Sequence, residues 1–149
     1  MRPLVSVITL TYNQEAFLPE CLEGVRIQQG EFDLEHLIVD DCSQDGTAEV
    51  LARYAKECPY EVEVLRHDAN RGANFGMAEA YAQAKGELVA LCEGDDFWLA
   101  PDKLQTQIDQ MGRRPDLGLC YHDAVLIHQD KREWPVVRPA IGAPIRRLP

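Results

Sequence analysis

No apolar run in this chain approaches the roughly 20 residues that a bilayer-spanning helix requires. The N-terminus lacks the basic, apolar, small-residue order of a signal peptide, because Arg2-Pro3 leads straight into a predicted strand. The five cysteines (Cys21, Cys42, Cys58, Cys92 and Cys120) form no CxxC pair, which disfavours a zinc site or a disulfide framework. Free thiols in a reducing compartment are the expectation, so the predicted location is cytoplasmic or peripheral at the inner face of a membrane. His36, His67, His122 and His128 show neither HxxxH nor HExxH spacing and read as structural. There is no GxSxG elbow, no Walker loop and no GxGxxG. Basic residues are in deficit: the net charge is −10, which disfavours nucleic-acid backbones and anionic lipid.

What is present is an alternation of strand and helix, the rhythm of a parallel sheet covered by helices on both faces. Strands are expected at Val5–Leu10, Leu34–Val39, Val62–Arg66 and Leu88–Cys92. Helices are expected at Phe17–Gln28, from Thr47 to about Lys56, at Asn74–Ala84 and from Pro101 onward. Met77, Ala78, Tyr81 and Ala82 are spaced for one helical face. Leu117–Tyr121 and Val125–His128 read as two further short strands. At 149 residues with 46% hydrophobic content, the chain is large enough for one domain with a real core. From Lys131 onward the segment carries a net +4 and four of the nine prolines. Residues 131–149 therefore read as a separate Pro/Arg-rich arm, or a segment lacking its partner structure.

Two acidic clusters follow apolar runs. Asp40-Asp41 follows Leu34–Val39, and Glu93-Gly94-Asp95-Asp96 follows Leu88–Cys92. Each should project from the carboxyl end of a strand, the edge where open α/β sheets bind ligands. Carboxylates gathered there repel one another unless a cation or hydrogen-bond donors offset them. Oxygen donors suit Mg²⁺ or Mn²⁺, ions that share their shell with substrate phosphates. Gly94 would let the backbone turn sharply so that the flanking acids converge on one ion. Phe97-Trp98 would wall a pocket or anchor the loop. Thr11-Tyr12-Asn13 leaves the first strand on the same edge, where Tyr12 could stack on a base. Asp45-Gly46-Thr47 reads as a turn and helix start. Arg71, ahead of a helix N-terminus, could pair with phosphate.

Taken in order, Val5–Asn13, Val39–Thr47, Asn70-Arg71-Gly72 and Lys85–Asp96 resemble the N-terminal half of the family 2 glycosyltransferases of GT-A fold, over roughly residues 3 to 130. The resemblance implies a nucleotide-sugar-binding domain over 1–130, with a donor that is usually UDP-linked. It implies a Mg²⁺ or Mn²⁺ ion, a carbohydrate or lipid-linked acceptor, and inversion at the anomeric carbon. By position, Thr11 and Tyr12 would line the nucleoside pocket, Asp41 would contact the base, and Asp40 would support the loop. Arg71 lies near the family's basic position. Asp95 would contact ribose or metal, and Asp96 is a further metal-side candidate. The family's DxD signature here begins with Glu93, one methylene longer.

The family continues about as far again, with an acceptor-binding region and a general base. Nothing after Lys131 resembles that region, and neither Asp123 nor Asp130 matches the base motif. The expectation is a fragment, or a chain that has lost transfer activity; a non-catalytic nucleotide-binding module is the alternative. A nucleotidyltransferase would carry a Gly/Arg-rich loop after its first strand, and a response-regulator receiver would carry its acid pair there. Self-association through an open sheet edge is a further expectation.

Overall fold

The structure, a computed structural model, describes residues 2–125 and residue 127. The chain divides into two units, Met1–Thr106 and Gln107–Pro149. The first unit holds a four-stranded sheet of β1 (Leu4–Thr11), β2 (Asp33–Asp40), β3 (Glu61–Arg66) and β4 (Leu88–Leu91). Every pairing is parallel and the order is β3-β2-β1-β4. Between the strands run α1 (Leu18–Arg26), α2 (Thr47–Glu57) and α3 (Ala73–Gln83), with α4 (Lys103–Arg113) after β4.

Side chains on a strand alternate between the faces of the sheet, and the register sorts them. Ile8 and Leu37 are partners on one face. With Val39 and Ala80 of α3 they form a buried cluster, against which Leu10, Leu65, Met77 and Ala84 pack. On the other face His36 is wholly buried, with its ring nitrogens 2.8 Å from the Thr9 hydroxyl and 2.9 Å from Tyr54 Oη of α2. Burial pushes the His36 pKa down to about 3, so the ring is neutral.

At the amino end of the strands, buried Glu35 closes the α3–β4 connection. It accepts the Ser6 hydroxyl at 2.6 Å and the Lys85 backbone N–H at 2.7 Å. The Gly86 N–H donates to Ser6 Oγ at 2.8 Å.

Some expectations need correction. The face of α3 that packs is Gly76–Met77–Ala80, whereas Ala78, Tyr81 and Ala82 are exposed. Tyr81 lies one position beyond the packing stripe, and spacing alone did not show that. Leu117–Tyr121 is not a strand: Leu119 and Tyr121 are exposed, so no sheet buries them. Of Val125–His128, Val125 lies outside any strand, and His128, like residues 131–149, falls outside the described residues.

Candidate functional site

The carboxyl edge of the sheet carries the loops after β1, β2 and β4, together with the entry to α3. Three positive-φ residues sit there: Asn13 (φ 52°), Cys42 (φ 69°) and Gly72 (φ 86°). Such backbone persists where its surroundings hold it, often beside ligands. The holding is visible. Asn13 N–H donates to Ser43 Oγ at 2.9 Å, and Gln44 N–H donates to Asn13 Oδ1 at 2.7 Å. Gln14 N–H donates to Thr47 Oγ1 at 3.2 Å, and Gly46 N–H to Glu15 Oε2 at 3.0 Å. Asp45 accepts the Thr47 N–H at 3.0 Å in the turn that leads into α2, whose N-cap position is Gly46.

Asp40 lies beneath this loop. It is fully buried, accepts the Ser43 N–H at 2.9 Å and faces Arg66 Nε at 3.4 Å. It supports the turn from beneath, and its Oδ2 lacks a hydrogen-bond partner in the protein.

Asp41 is turned toward the start of α3. One oxygen accepts the Arg71 N–H at 2.8 Å and faces His67 Nδ1 at 2.7 Å; the other accepts the Gly72 N–H at 2.8 Å. Burial works to raise its pKa, but the Arg71, His67 and Gly72 donors outweigh it and hold the carboxylate below the usual range. A carboxylate offers about four lone-pair positions. Three are used, so Asp41 keeps an acceptor position on Oδ2.

Thr11 is 3% exposed, and its Oγ1 lacks a protein hydrogen-bond partner. Tyr12 is 46% exposed and free to receive a planar ring. The Arg71 guanidinium lies 3.6 Å from the centroid of the Phe75 ring, at the start of α3.

The acidic loop after β4 is built differently. Gly94 N–H donates to the Leu10 carbonyl at 2.9 Å, and a tight turn joins Asp96 N–H to the Glu93 carbonyl at 2.9 Å. A Cβ on Gly94 would meet the Leu10 carbonyl and Thr11 Cβ, each at 3.0 Å, as well as Gln14 Oε1. Close approach to β1 is what requires glycine here; among the described glycines the positive φ belongs to Gly72. Trp98 anchors the loop. It is 6% exposed and so close to α1 that a Cβ on Gly24 would meet its backbone nitrogen at 2.7 Å.

Glu93, Asp95 and Asp96 are exposed, and no group of three or more His, Cys, Asp or Glu able to hold a metal occurs among the described residues. These three exposed acids thus form no preassembled group of that kind. The donor set still fits a hard divalent ion that takes one or two carboxylates and fills its shell from phosphate and water.

Spacing along the chain gives no sign of the pairing of His67 with Glu79 and Asp41, because these carboxylates lie 12 and 26 residues away.

A parallel sheet with carboxylates, a braced turn and an exposed aromatic gathered at its strand ends belongs to the class of open α/β folds that bind ligands at that edge. Within that class the chain belongs to the family described as Glycosyl transferase family 2, whose model matches residues 6–140. An uncharacterised protein of Mycobacterium tuberculosis is 35% identical over 126 residues, covering 85% of this chain and 36% of that protein. The putative teichuronic acid biosynthesis glycosyltransferase TuaG of Bacillus subtilis is 37% identical over 113 residues, covering 76% of this chain and 44% of TuaG. Among solved structures, S. aureus TarS 1-349 in complex with UDP superimposes with a TM-score of 0.66 at 27% identity, over 85% of this chain and 35% of that one. The mannosyltransferase PcManGT from Pyrobaculum calidifontis, in complex with GDP-Man and Mn²⁺, gives 0.69 at 30% identity, over 74% and 33%. The chain thus spans between a third and a half of the length of these relatives. Among the described residues, no helix is long and apolar enough to cross a membrane.

Proposed function

We propose that this chain is the donor-binding part of an inverting, metal-dependent glycosyltransferase that uses a nucleotide-sugar, with UDP as the nucleotide. The observation that carries this reading is Asp41, an ionised carboxylate fixed by three donors with an acceptor position to spare. An ionised carboxylate can only accept, so it favours a base that presents an N–H, as uracil does. Tyr12 stacks on the base, and Thr11 lines the nucleoside pocket.

Asp95 meets ribose or metal, with Glu93 and Asp96 beside it. A bound Mg²⁺ or Mn²⁺ would stabilise charge growing on the departing diphosphate. Arg71 adds positive charge near the phosphates, and Gly94 keeps the acidic loop against β1. The acceptor hydroxyl, carbohydrate or lipid-linked, would attack the anomeric carbon as the nucleoside diphosphate leaves, giving its proton to a base not assigned among the described residues: Asp130 lies outside them, and Asp123 belongs to the second unit.

Isothermal titration with UDP, with and without Mn²⁺, tests the reading. Binding that strengthens with metal in the wild type but not in Asp95→Ala is expected. Metal-independent binding, or an unchanged Asp95→Ala, removes the metal bridge. The alternative, a nucleotide-binding module without transfer, is favoured by a reading in which each of these residues serves the donor and none the acceptor; sugar release from UDP-sugars by this chain would count against it.

A further inference from the structure

We propose that His67 is a positioning residue for Asp41: an imidazolium that fixes the nucleobase carboxylate from behind and couples nucleotide affinity to pH. This rests on the reading above that Asp41 meets the base.

The geometry sets the protonation. His67 Nδ1 lies 2.7 Å from Asp41 Oδ1, and Nε2 lies 2.7 Å from Glu79 Oε2. Ionised carboxylates are acceptors only, so both ring nitrogens must donate, and only the imidazolium has two N–H groups. The ring is held on other sides as well. It is 8% exposed, its backbone N–H donates to the Asp40 carbonyl at 2.9 Å, and Phe75 of α3 meets it edge-on at 5.6 Å. The charged groups around it are Asp41 at the exit of β2, Glu79 on α3, and Arg71, whose guanidinium lies over Phe75. Hydrogen bonds donated to Glu79 and then to Asp41 hold the imidazole's pKa above its ordinary value, against burial that works to lower it.

The consequence follows from charge. With His67 protonated, the cluster of Asp41, His67 and Glu79 carries −1. Loss of the proton leaves −2 and sets one ring lone pair against a carboxylate oxygen. Glu79 has a side chain 33% exposed against 10% for Asp41, so Glu79 is the partner that can swing into water. Asp41 then loses its rear counter-charge while facing an anionic ligand. By linkage, a nucleotide diphosphate that prefers the −1 form must also raise the His67 pKa.

The test uses the whole chain with UDP and Mg²⁺, titrated calorimetrically from about pH 5.5 to about 8.5, the span over which imidazole changes charge. Wild type, His67→Gln and Glu79→Gln are compared, and the His67 ring is followed by NMR with and without UDP. The phosphate's own titration is common to all three and cancels in the differences. Wild-type affinity should fall about tenfold across the His67 transition, and UDP should move that transition up by about one unit, since one unit corresponds to tenfold. In His67→Gln the fall should vanish, with affinity near the wild-type high-pH value. In Glu79→Gln the transition should move to lower pH. A pH profile in His67→Gln that overlays the wild type, or a neutral His67 ring at the low-pH end, overturns the proposal. Absence of UDP binding by the wild type at every pH instead condemns the nucleotide reading.

Discussion

The loops after β2 and β4 leave the same edge of one sheet, and they are held by opposite means. The β2 loop is braced by side chains: Ser43, Asp45, Thr47, Asn13 and Glu15 each accept a backbone N–H from a neighbouring turn. Its Asp41 carboxylate is buried and already bonded. The β4 loop is held by backbone contacts, by the Cys21 and Cys92 thiols on the Glu93 and Asp96 carbonyls and by Trp98, while its three acids are exposed. On the proposed reading, the nucleoside side is organised before a ligand arrives, whereas a metal side of this kind would need phosphate oxygens to complete its shell.

The largest effect should come from Asp41→Ala, which strands three donors. A loss of about 3 kcal/mol in unfolding free energy by urea denaturation is expected, since each unsatisfied buried group costs on the order of 1–3 kcal/mol. A loss under about 0.5 kcal/mol, the level of an ordinary surface change, would erase the contrast between the loops. Gly94→Ala should cost about 2 kcal/mol by the same measurement, because a Cβ must displace the Leu10 carbonyl or Thr11. A neutral result would mean that the β4 loop yields freely.

The pH dependence of stability comes next, and two histidines act in opposite senses. His67, with its pKa raised, contributes stability present below the unfolded value near about 6.5 and lost as pH rises through its folded value. His36, lowered to about 3, contributes stability present above about 6.5 and lost as pH falls. Midpoint denaturant concentration should therefore pass through a maximum between the two losses. His67→Gln should remove the high-pH fall alone. The smallest effect should be Asp95→Ala, within about 0.5 kcal/mol of wild type, because an exposed acid anchors nothing. Its signature is loss of metal-dependent UDP binding with folding untouched, and a large destabilisation would show that the β4 loop is also braced by the Asp95 carboxylate.

The strands were legible in sequence because buried parallel strands are short apolar runs, and Leu34–Val39 and Leu88–Cys92 stand out between polar turns. The edge that gathers the acids followed from that order alone. What remained hidden depended on partners far along the chain. Nothing adjacent to Asp41 shows that it caps Arg71 and Gly72. Gly94 was read as a turn glycine, and its reason is a neighbour some 80 residues earlier, at Leu10 and Thr11. Leu117–Tyr121 has strand-like composition but no sheet to bury it, and composition cannot report a missing partner.

Helix α3 meets a buried carboxylate at each end. Asp41 takes the N–H groups of Arg71 and Gly72 just before it, and Glu35 takes the N–H of Lys85 just after it. Both carboxylates belong to β2 or its exit, so the helix is bolted to one strand at top and bottom like a strut on a beam. It can neither slide along the sheet nor roll on it without breaking a bolt.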